Sequence, residues 1–156
     1  MKLLFVCTGN ICRSPLAEGL MRQMLADAGL GGQVTVASAG TSGWHEGEPP
    51  HPLSRAAAAA VGVDISEQRA RVFRFSDFEE FDLILAMDRS HLRELDLSCP
   101  PGSRARLALF LNYAPDIEAT DVPDPYGEGA DAFEAVRGMI GEGCAGLLAA
   151  VRAELG

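Results

Sequence analysis

The sequence predicts an α/β protein of three layers, in which helices flank both faces of a four-stranded parallel sheet. Four short apolar runs of strand length alternate with longer segments in which apolar residues recur every three or four positions. Such alternation is typical of parallel sheets, because each crossover between parallel strands supplies a helix that covers one face. No repeat or linker divides the 156 residues, so we expect one domain over residues 1–156.

Each predicted element has its own signal. The strands are short apolar runs: Leu3–Val6, Val34–Ala37, Phe81–Met87 and Arg106–Leu111. The helices have helical apolar spacing: Leu16–Ala28, Leu53–Val61, Arg89–Leu97 and Phe133–Leu155. Gly29 and Gly62 supply stops for the first two helices, and Asp88 is a candidate N-cap for the third. Glycines at 138, 141, 143 and 146 weaken the helical pattern of the last segment.

The composition excludes several classes of function. A formal net charge of −9 disfavours nucleic acid as a partner. No apolar run approaches the ~18 residues of a membrane span, and the chain starts with a strand rather than a signal peptide. Four cysteines without paired C-x-x-C spacing favour neither a zinc site nor a disulfide framework. We therefore expect a cytoplasmic monomer that binds no membrane and needs no metal or cofactor.

The most informative segment is the loop Val6–Pro15, VCTGNICRSP, between the first strand and the first helix. A loop in this position makes a phosphate cradle, because its amides and the first-turn N–H groups point inward with the helix dipole behind them. This cradle carries a thiol, Cys7, at its centre and a guanidinium, Arg13, at its rim. The combination predicts covalent phosphoryl transfer through cysteine.

The residue types in this loop suit that chemistry. The helix N-terminus and Arg13 both favour the thiolate form of Cys7, which is the nucleophile, and Arg13 offers paired donors to two phosphate oxygens. Gly9 lets the backbone approach the phosphate, and Asn10 tolerates left-handed backbone angles. Ser14 is expected either to cap the helix or to donate its hydroxyl to the thiolate.

The leaving group of such a transfer needs a proton, and a positioned acid contributes ~10²–10⁴-fold to the rate. Asp124 is the preferred candidate, because Pro123 and Pro125 bias its backbone to an extended conformation in a long loop. Asp121 is the alternative acid. Without the cysteine loop, Asp124 would be interpreted as part of an ordinary Asp-Pro turn.

These motifs resemble those of the low-molecular-weight protein tyrosine phosphatases, in particular the bacterial members. The resemblance rests on VCTGNICRSP and, in this order, on SAGTSGW (38–44), AMD (86–88) and DPYG (124–127). It implies hydrolysis of phosphotyrosine through a cysteinyl-phosphate on Cys7, with Asp124 first as acid and then as base for the attacking water. It also implies a phosphotyrosine protein as substrate, and in bacteria such enzymes are often paired with a tyrosine kinase, whereas others are secreted into hosts.

The resemblance further implies a deep slot for a flat ring, walled by Trp44 and Tyr126, in which depth selects phosphotyrosine over phosphoserine. Packing of Trp44 beneath its loop is the alternative. Cys12 is expected either to form a reversible disulfide with Cys7 or to act as a small buried apolar residue. The other substrate-binding positions implied lie in the cradle: Thr8, Gly9, Asn10, Ile11, Cys12 and Ser14.

Three different activities compete with phosphotyrosine hydrolysis. A branch of the same family dephosphorylates arginine and carries threonine where this chain has Ile11, although it shares Thr8 with this chain. Arsenate reduction needs further cysteines near one another, but Cys99 and Cys144 are far apart in the sequence. A phosphocysteine carrier domain would have no use for the acid Asp124.

The remaining polar residues have no part in this interpretation. The three histidines, His45, His51 and His91, are not required by the mechanism. The segment Gln68–Arg74 is rich in arginine and is interpreted as a solvated face, with binding of an acidic phosphopeptide as the alternative.

Overall fold

The computed structural model describes residues 1–156 and contains one sheet of four parallel strands, in the order β2-β1-β3-β4. The strands β1 to β4 are Lys2–Cys7, Thr35–Gly40, Leu83–Ala86 and Arg106–Leu109. The helices α1 to α5 are Arg13–Asp27, Pro52–Ala59, Asp77–Glu80, Arg89–Ser98 and Ala130–Leu155, and a 3-10 turn, Phe110–Tyr113, follows β4. None of these helices is both long enough and apolar enough to cross a bilayer. The predicted fold class is confirmed.

The alternation of side chains along β1 separates two apolar layers. Leu3 and Phe5 belong to the larger core, which α1, α2 and α5 cover. Leu4 and Val6 face the opposite side and pack with residues of α3 and α4, including Phe78. Because β1 is central and has helices on both faces, Cys7 at its end lies between the layers, at the carboxyl edge of the sheet.

Some element bounds differ from those the sequence predicts. Helix α1 begins at Arg13 rather than at Leu16, so the guanidinium belongs to its first turn. The fourth strand ends at Leu109 and continues as the 3-10 turn, which packs against α5. Helix α3 is absent from the prediction because four residues are too few to show a helical period.

The glycines of α5 do not interrupt the helix. A side chain at Gly143 would clash with the ring of Phe110, and one at Gly146 would clash with the carbonyl oxygen of Tyr113. These two glycines therefore let the turn after β4 pack closely on α5. Two of the four glycines that weaken the helical pattern in the sequence are therefore required by this contact.

We expect Gly146→Ala to destabilise the fold by about 1–3 kcal/mol, because the new methyl group overlaps a backbone carbonyl that cannot rotate away. Gly138→Ala is the matched control in the same helix, since a methyl group there meets no atom within 4 Å. The control should gain up to about 1 kcal/mol from its helix propensity. Urea denaturation measures both changes, and equal effects of the two substitutions would contradict this account of α5.

Candidate active site

Strand β2 supports the loop that follows Cys7. The backbone N–H of Thr41 donates to the Cys7 carbonyl over 2.9 Å, and the N–H of Ser42 donates to the Thr8 carbonyl over 3.0 Å. A Cβ atom at Gly40 would lie 2.6 Å from the oxygen of Thr8, so only glycine permits this approach. The SAGTS segment thus holds the first residues of the loop in place.

Asn10 is buried within the loop and adopts a left-handed backbone with φ of 57°. Its Oδ1 accepts a hydrogen bond of 3.0 Å from the backbone N–H of Arg71, which fixes the orientation of the amide. The Nδ2 group then donates to Ser14 Oγ over 2.7 Å and to Ser38 Oγ over 2.9 Å. Since Ser14 accepts from Asn10, its own proton is free for Cys7 Sγ, 3.0 Å away. Ser14 therefore faces the thiol rather than capping α1.

The other branch of this network ends on a carboxylate. The hydroxyl of Ser38 donates to Glu18 Oε1 over 2.7 Å, and Glu18 Oε2 accepts from Arg22 over 2.7 Å. Because a carboxylate only accepts, Ser38 must accept from Asn10, which agrees with the amide orientation set by Arg71. The direction of the hydrogen bonds is therefore determined from both ends.

Arg13 is buried and is held by two acceptors. Its NH1 group donates to Asp88 Oδ2 over 2.8 Å and to the Val122 carbonyl over 2.9 Å. The Nε atom is buried without a partner in the protein, and NH2 lies 3.8 Å from Asp124 Oδ2, beyond hydrogen-bond distance. The edge formed by Nε and NH2 is therefore available for two oxygens of one phosphate group.

Asp88 and His91 form the support behind Arg13. Asp88 caps α4, and burial acts to raise its pKa, but hydrogen bonds from Ser90, Arg13 and His91 lower that pKa to about 2. His91 is 1% exposed, and burial lowers its pKa to about 4 despite the nearby Asp88 carboxylate. A neutral ring therefore lies beside the charged Arg13–Asp88 pair.

The loop opens into a cleft of about 200 Å³. Asn10 and Ser14 lie below this cleft and act through their hydrogen bonds, whereas the other predicted site residues line it. The lining residues are Cys7, Thr8, Gly9, Ile11, Cys12, Arg13, Trp44, His45, Asp124 and Tyr126.

Two aromatic side chains stand at the mouth of the cleft. Trp44 is 82% exposed, so the alternative in which it packs beneath its loop is wrong. The ring of Tyr126 lies 5.9 Å from the rings of both His45 and His51, and His51 stacks on Phe133 of α5 at 4.8 Å. Tyr126 is therefore anchored to the helical layer, whereas Trp44 is free to meet a substrate.

The two aspartates considered as acids have different surroundings. Asp124 lines the cleft, and its Oδ1 accepts from the backbone N–H of Tyr126 over 3.1 Å. Asp121 pairs with Arg89 at 3.2 Å and does not line the cleft. Although burial acts to raise the pKa of Asp121, hydrogen bonds from Arg89 hold it below its ordinary value. Asp121 is therefore a poor proton donor.

Cys12 is a buried thiol in the cleft wall. Burial raises its pKa to about 12, with a further contribution from the neighbouring Cys7. Cys12 is thus protonated and unreactive as it stands, and its disulfide with Cys7 stays a prediction.

The interpretation of Gln68–Arg74 as a solvated face is wrong for part of the segment. Arg71 pairs at 2.9 Å with the carboxylate of Asp77, which is fully buried, and Gln68 donates to the Pro15 carbonyl over 3.1 Å. These two side chains therefore attach the segment to α3 and to the first turn of α1, while Arg69 and Arg74 are exposed.

The sequence interpretation missed the histidines around the cleft. His45 lines it, His51 positions Tyr126, and His91 contacts Thr8. A signal was present only for His91, because the third helical position after the N-cap Asp88 is where a side chain returns to the cap. The other two contacts depend on the path of the loop before α2.

The fold and the cleft define a class of protein: an α/β phosphate-binding enzyme with a cysteine inside its phosphate loop. Residues 2–155 match the family model described as low molecular weight phosphotyrosine protein phosphatase. The chain belongs to the low molecular weight protein tyrosine phosphatase family, whose members are hydrolases that act on phosphoproteins.

Known relatives match over nearly their full length. The low molecular weight protein-tyrosine-phosphatase of Streptomyces coelicolor is 45% identical, covering 99% of this chain and 95% of that protein. The crystal structure of a protein tyrosine phosphatase from Entamoeba histolytica superposes with a TM-score of 0.94 at 34% identity, covering 99% and 98% of the two chains. A Drosophila arginine phosphatase is similar too, with a TM-score of 0.90 at 32% identity over 97% and 98%.

We expect the free energy of unfolding to fall as the pH drops from about 6.5 towards 4. The folded pKa of His91 is about 4 against an ordinary value of 6.5, so the unfolded chain takes up the proton first. The stabilisation is therefore complete above pH 6.5 and is lost progressively down to pH 4, by about 3 kcal/mol. Urea denaturation at several pH values measures the free energy of unfolding. His91→Asn is the control, and it should not show the loss of stability attributed to His91. An identical pH dependence in both proteins would refute the assignment to His91.

Proposed function

We propose that this phosphatase hydrolyses phosphotyrosine through a covalent intermediate on Cys7. The observation that carries the proposal is the convergence on one point of three groups. The Ser14 hydroxyl is directed at Cys7 Sγ from 3.0 Å, Arg13 keeps an unpaired Nε, and the Asp124 carboxylate lies 3.8 Å from Arg13 NH2. Such an arrangement supports a nucleophile, a phosphate clamp and an acid within one cleft.

In the first step the Cys7 thiolate attacks phosphorus, so that an S–P bond forms and the bond to the phenolic oxygen breaks. The Ser14 hydroxyl stabilises the thiolate before the attack and again when cysteine leaves. Arg13 donates from Nε and NH2 to two phosphoryl oxygens, whose charge it stabilises. Asp124, in its protonated form, gives its proton to the departing phenolate.

In the second step water attacks the cysteinyl-phosphate. The Asp124 carboxylate, left ionised by the first step, takes a proton from this water as its oxygen bonds to phosphorus. The S–P bond breaks, phosphate leaves and the thiolate returns. Asp124 therefore alternates between acid and base within one turnover.

The shape of the cleft favours a flat aromatic ester. Ile11 offers an apolar wall, and Trp44 and Tyr126 offer aromatic faces at the mouth. A phenyl ring gains dispersion and apolar burial against these groups, whereas the guanidinium of phosphoarginine would lose hydration against the same apolar and aromatic surfaces. The similar Drosophila protein is named an arginine phosphatase, so phosphoarginine is the second candidate substrate.

Arsenate reduction and phosphate carriage have less support. Cys99 packs in the apolar layer beside α4 and Cys144 is buried in the opposite core, so neither lines the cleft where an arsenate relay would begin. The relatives are named phosphatases rather than phosphate carriers. We further infer that the protein acts as a monomer in the cytoplasm. Where a tyrosine kinase acts on the same substrates, this phosphatase would remove the phosphate that the kinase adds.

Cys7→Ser should abolish turnover of aryl phosphates but keep phosphate binding, because the loop amides and Arg13 remain. Arg13→Lys is the comparison and should weaken both turnover and phosphate affinity, since lysine lacks the paired donors. Steady-state assays with inorganic phosphate as competitor measure both quantities for Arg13→Lys, and calorimetric phosphate titration measures binding to Cys7→Ser. Appreciable activity in Cys7→Ser would show that the covalent step is wrong.

Asp124→Asn should lower kcat/KM by roughly 10²–10⁴ for a basic leaving group, because its phenolate needs a proton in the transition state of the first step. The loss should shrink for an acidic leaving group such as nitrophenolate. Asp121→Asn is the matched control and should change little, since Asp121 faces Arg89 instead of the cleft. If the leaving-group dependence followed Asp121, the acid would have been misassigned.

Ile11→Thr should raise the ratio of phosphoarginine to aryl phosphate hydrolysis, because the hydroxyl replaces apolar surface with a hydrogen-bond acceptor. The parent enzyme should strongly prefer the aryl ester in kcat/KM when both substrates are assayed under the same conditions. A parent preference for phosphoarginine would reverse the substrate assignment and leave the covalent mechanism in place.

A further inference from the structure

Thr8 and His91 form a contact inside the cleft that the mechanism above does not use. Thr8 directly follows Cys7, and its side chain lines the cleft. Its Oγ1 lies 2.8 Å from Nε2 of His91, a ring that is 1% exposed and belongs to the first turn of α4. A polar side chain buried this deeply against the phosphate loop needs a physical reason.

The hydrogen bonds determine which atom of this pair donates. The backbone N–H of Asp88 donates to Nδ1 of His91 over 3.2 Å. Nδ1 also lies 3.2 Å from Asp88 Oδ1, but that oxygen already accepts from the backbone and hydroxyl of Ser90 and from the backbone N–H of His91. In the neutral ring Nδ1 is therefore the acceptor and the proton resides on Nε2. Nε2 therefore donates and Thr8 Oγ1 accepts. The hydroxyl proton of Thr8 has no acceptor in the protein, and it remains free for a group in the cleft.

We propose that His91 orients Thr8 as a hydrogen-bond donor to a phosphoryl oxygen of the substrate. In this arrangement Thr8 is a catalytic residue and His91 is a positioning residue. Because Cys7 attacks in line with the leaving oxygen, that oxygen lies on the side of phosphorus away from Sγ. Thr8 is adjacent to the nucleophile and therefore meets the transferred group, not the leaving group. The proposal rests on the function proposed above and adds a donor to it.

One consequence separates Thr8 from Asp124. A donor to the phosphoryl oxygens acts on the part that all phosphate monoesters and phosphoarginine share. Loss of this donor should therefore lower the rate equally for acidic and basic leaving groups. The identity of residue 8 should therefore not affect which leaving group the enzyme prefers, whereas Ile11 and Tyr126 should affect it.

The experiment compares Thr8→Val, which removes only the hydroxyl, with Thr8→Ser, which keeps it. His91→Asn is the matched variant at the second position, because its Oδ1 can still accept from the Asp88 N–H while the shorter side chain cannot reach Thr8. The double variant Thr8→Val with His91→Asn completes the cycle. Each protein is assayed for kcat and KM with aryl phosphates of acidic and basic leaving groups, for inhibition by inorganic phosphate, and for thermal unfolding.

Thr8→Val should lower kcat/KM about 10–100-fold for every leaving group and should weaken inhibition by inorganic phosphate, as expected for a lost hydrogen bond to a charged group. Thr8→Ser keeps the hydroxyl and should recover most of the activity that Thr8→Val loses. His91→Asn should lower kcat/KM when Thr8 is present and cause no further loss in the Thr8→Val background.

Parent kcat/KM and parent phosphate inhibition in a folded Thr8→Val variant would overturn the proposal while leaving the phosphatase mechanism intact. A loss in His91→Asn that persists in the Thr8→Val background would show that His91 only stabilises the fold. Should Thr8→Val fail to fold, Thr8→Ala repeats the same comparison. Absence of aryl phosphatase activity in the parent would instead refute the proposed function itself.

Discussion

The orientation of the Asn10 amide is the constraint on which the site depends. The backbone N–H of Arg71 donates to Oδ1 of Asn10, so the amide nitrogen faces Ser14 and Ser38, and the Ser14 proton is left available for Cys7. A buried hydrogen bond contributes about 1 kcal/mol net, but a buried polar group left without its partner costs about 1–3 kcal/mol. The reversed amide would leave several groups unsatisfied at once. The loop therefore adopts one hydrogen-bonding pattern, and that pattern directs a proton at the thiol.

A second buried group joins the helical layers around the same loop. Arg13 from the first turn of α1 meets Asp88 at the start of α4 at 2.8 Å and the Val122 carbonyl at 2.9 Å. Removing one partner of a buried ion pair costs about 3–5 kcal/mol, because the other charge stays desolvated. Arg13 cannot turn away from the cleft without that loss. In a chain of net charge −9, this fixed cation makes the loop a local site for anions.

The sequence predicted those features that depend on local pattern. The alternation of apolar runs indicated the parallel sheet with helices on both faces, and the ten-residue loop indicated Cys7 and Arg13 as parts of one phosphate cradle. The sequence could not predict contacts between segments that are distant along the chain. The close approach of Tyr113 to Gly146, the pairing of Arg71 with the buried Asp77, and the partner of His91 all depend on how layers meet. The glycines of α5 and the arginine at position 71 led to wrong expectations, because packing overrides their local preferences for a broken helix and for solvent.

The most direct test of the central claim is detection of phosphate on Cys7 during turnover. The Asp124→Asn variant slows release of the intermediate as well as its formation, so an acidic leaving group should let the cysteinyl-phosphate accumulate. Rapid acid quenching followed by peptide mass spectrometry should find one phosphoryl group on the peptide that contains Cys7, and none on that peptide from Cys7→Ser. Phosphate on another residue, or a burst of phenol release with an unmodified Cys7, would contradict the mechanism.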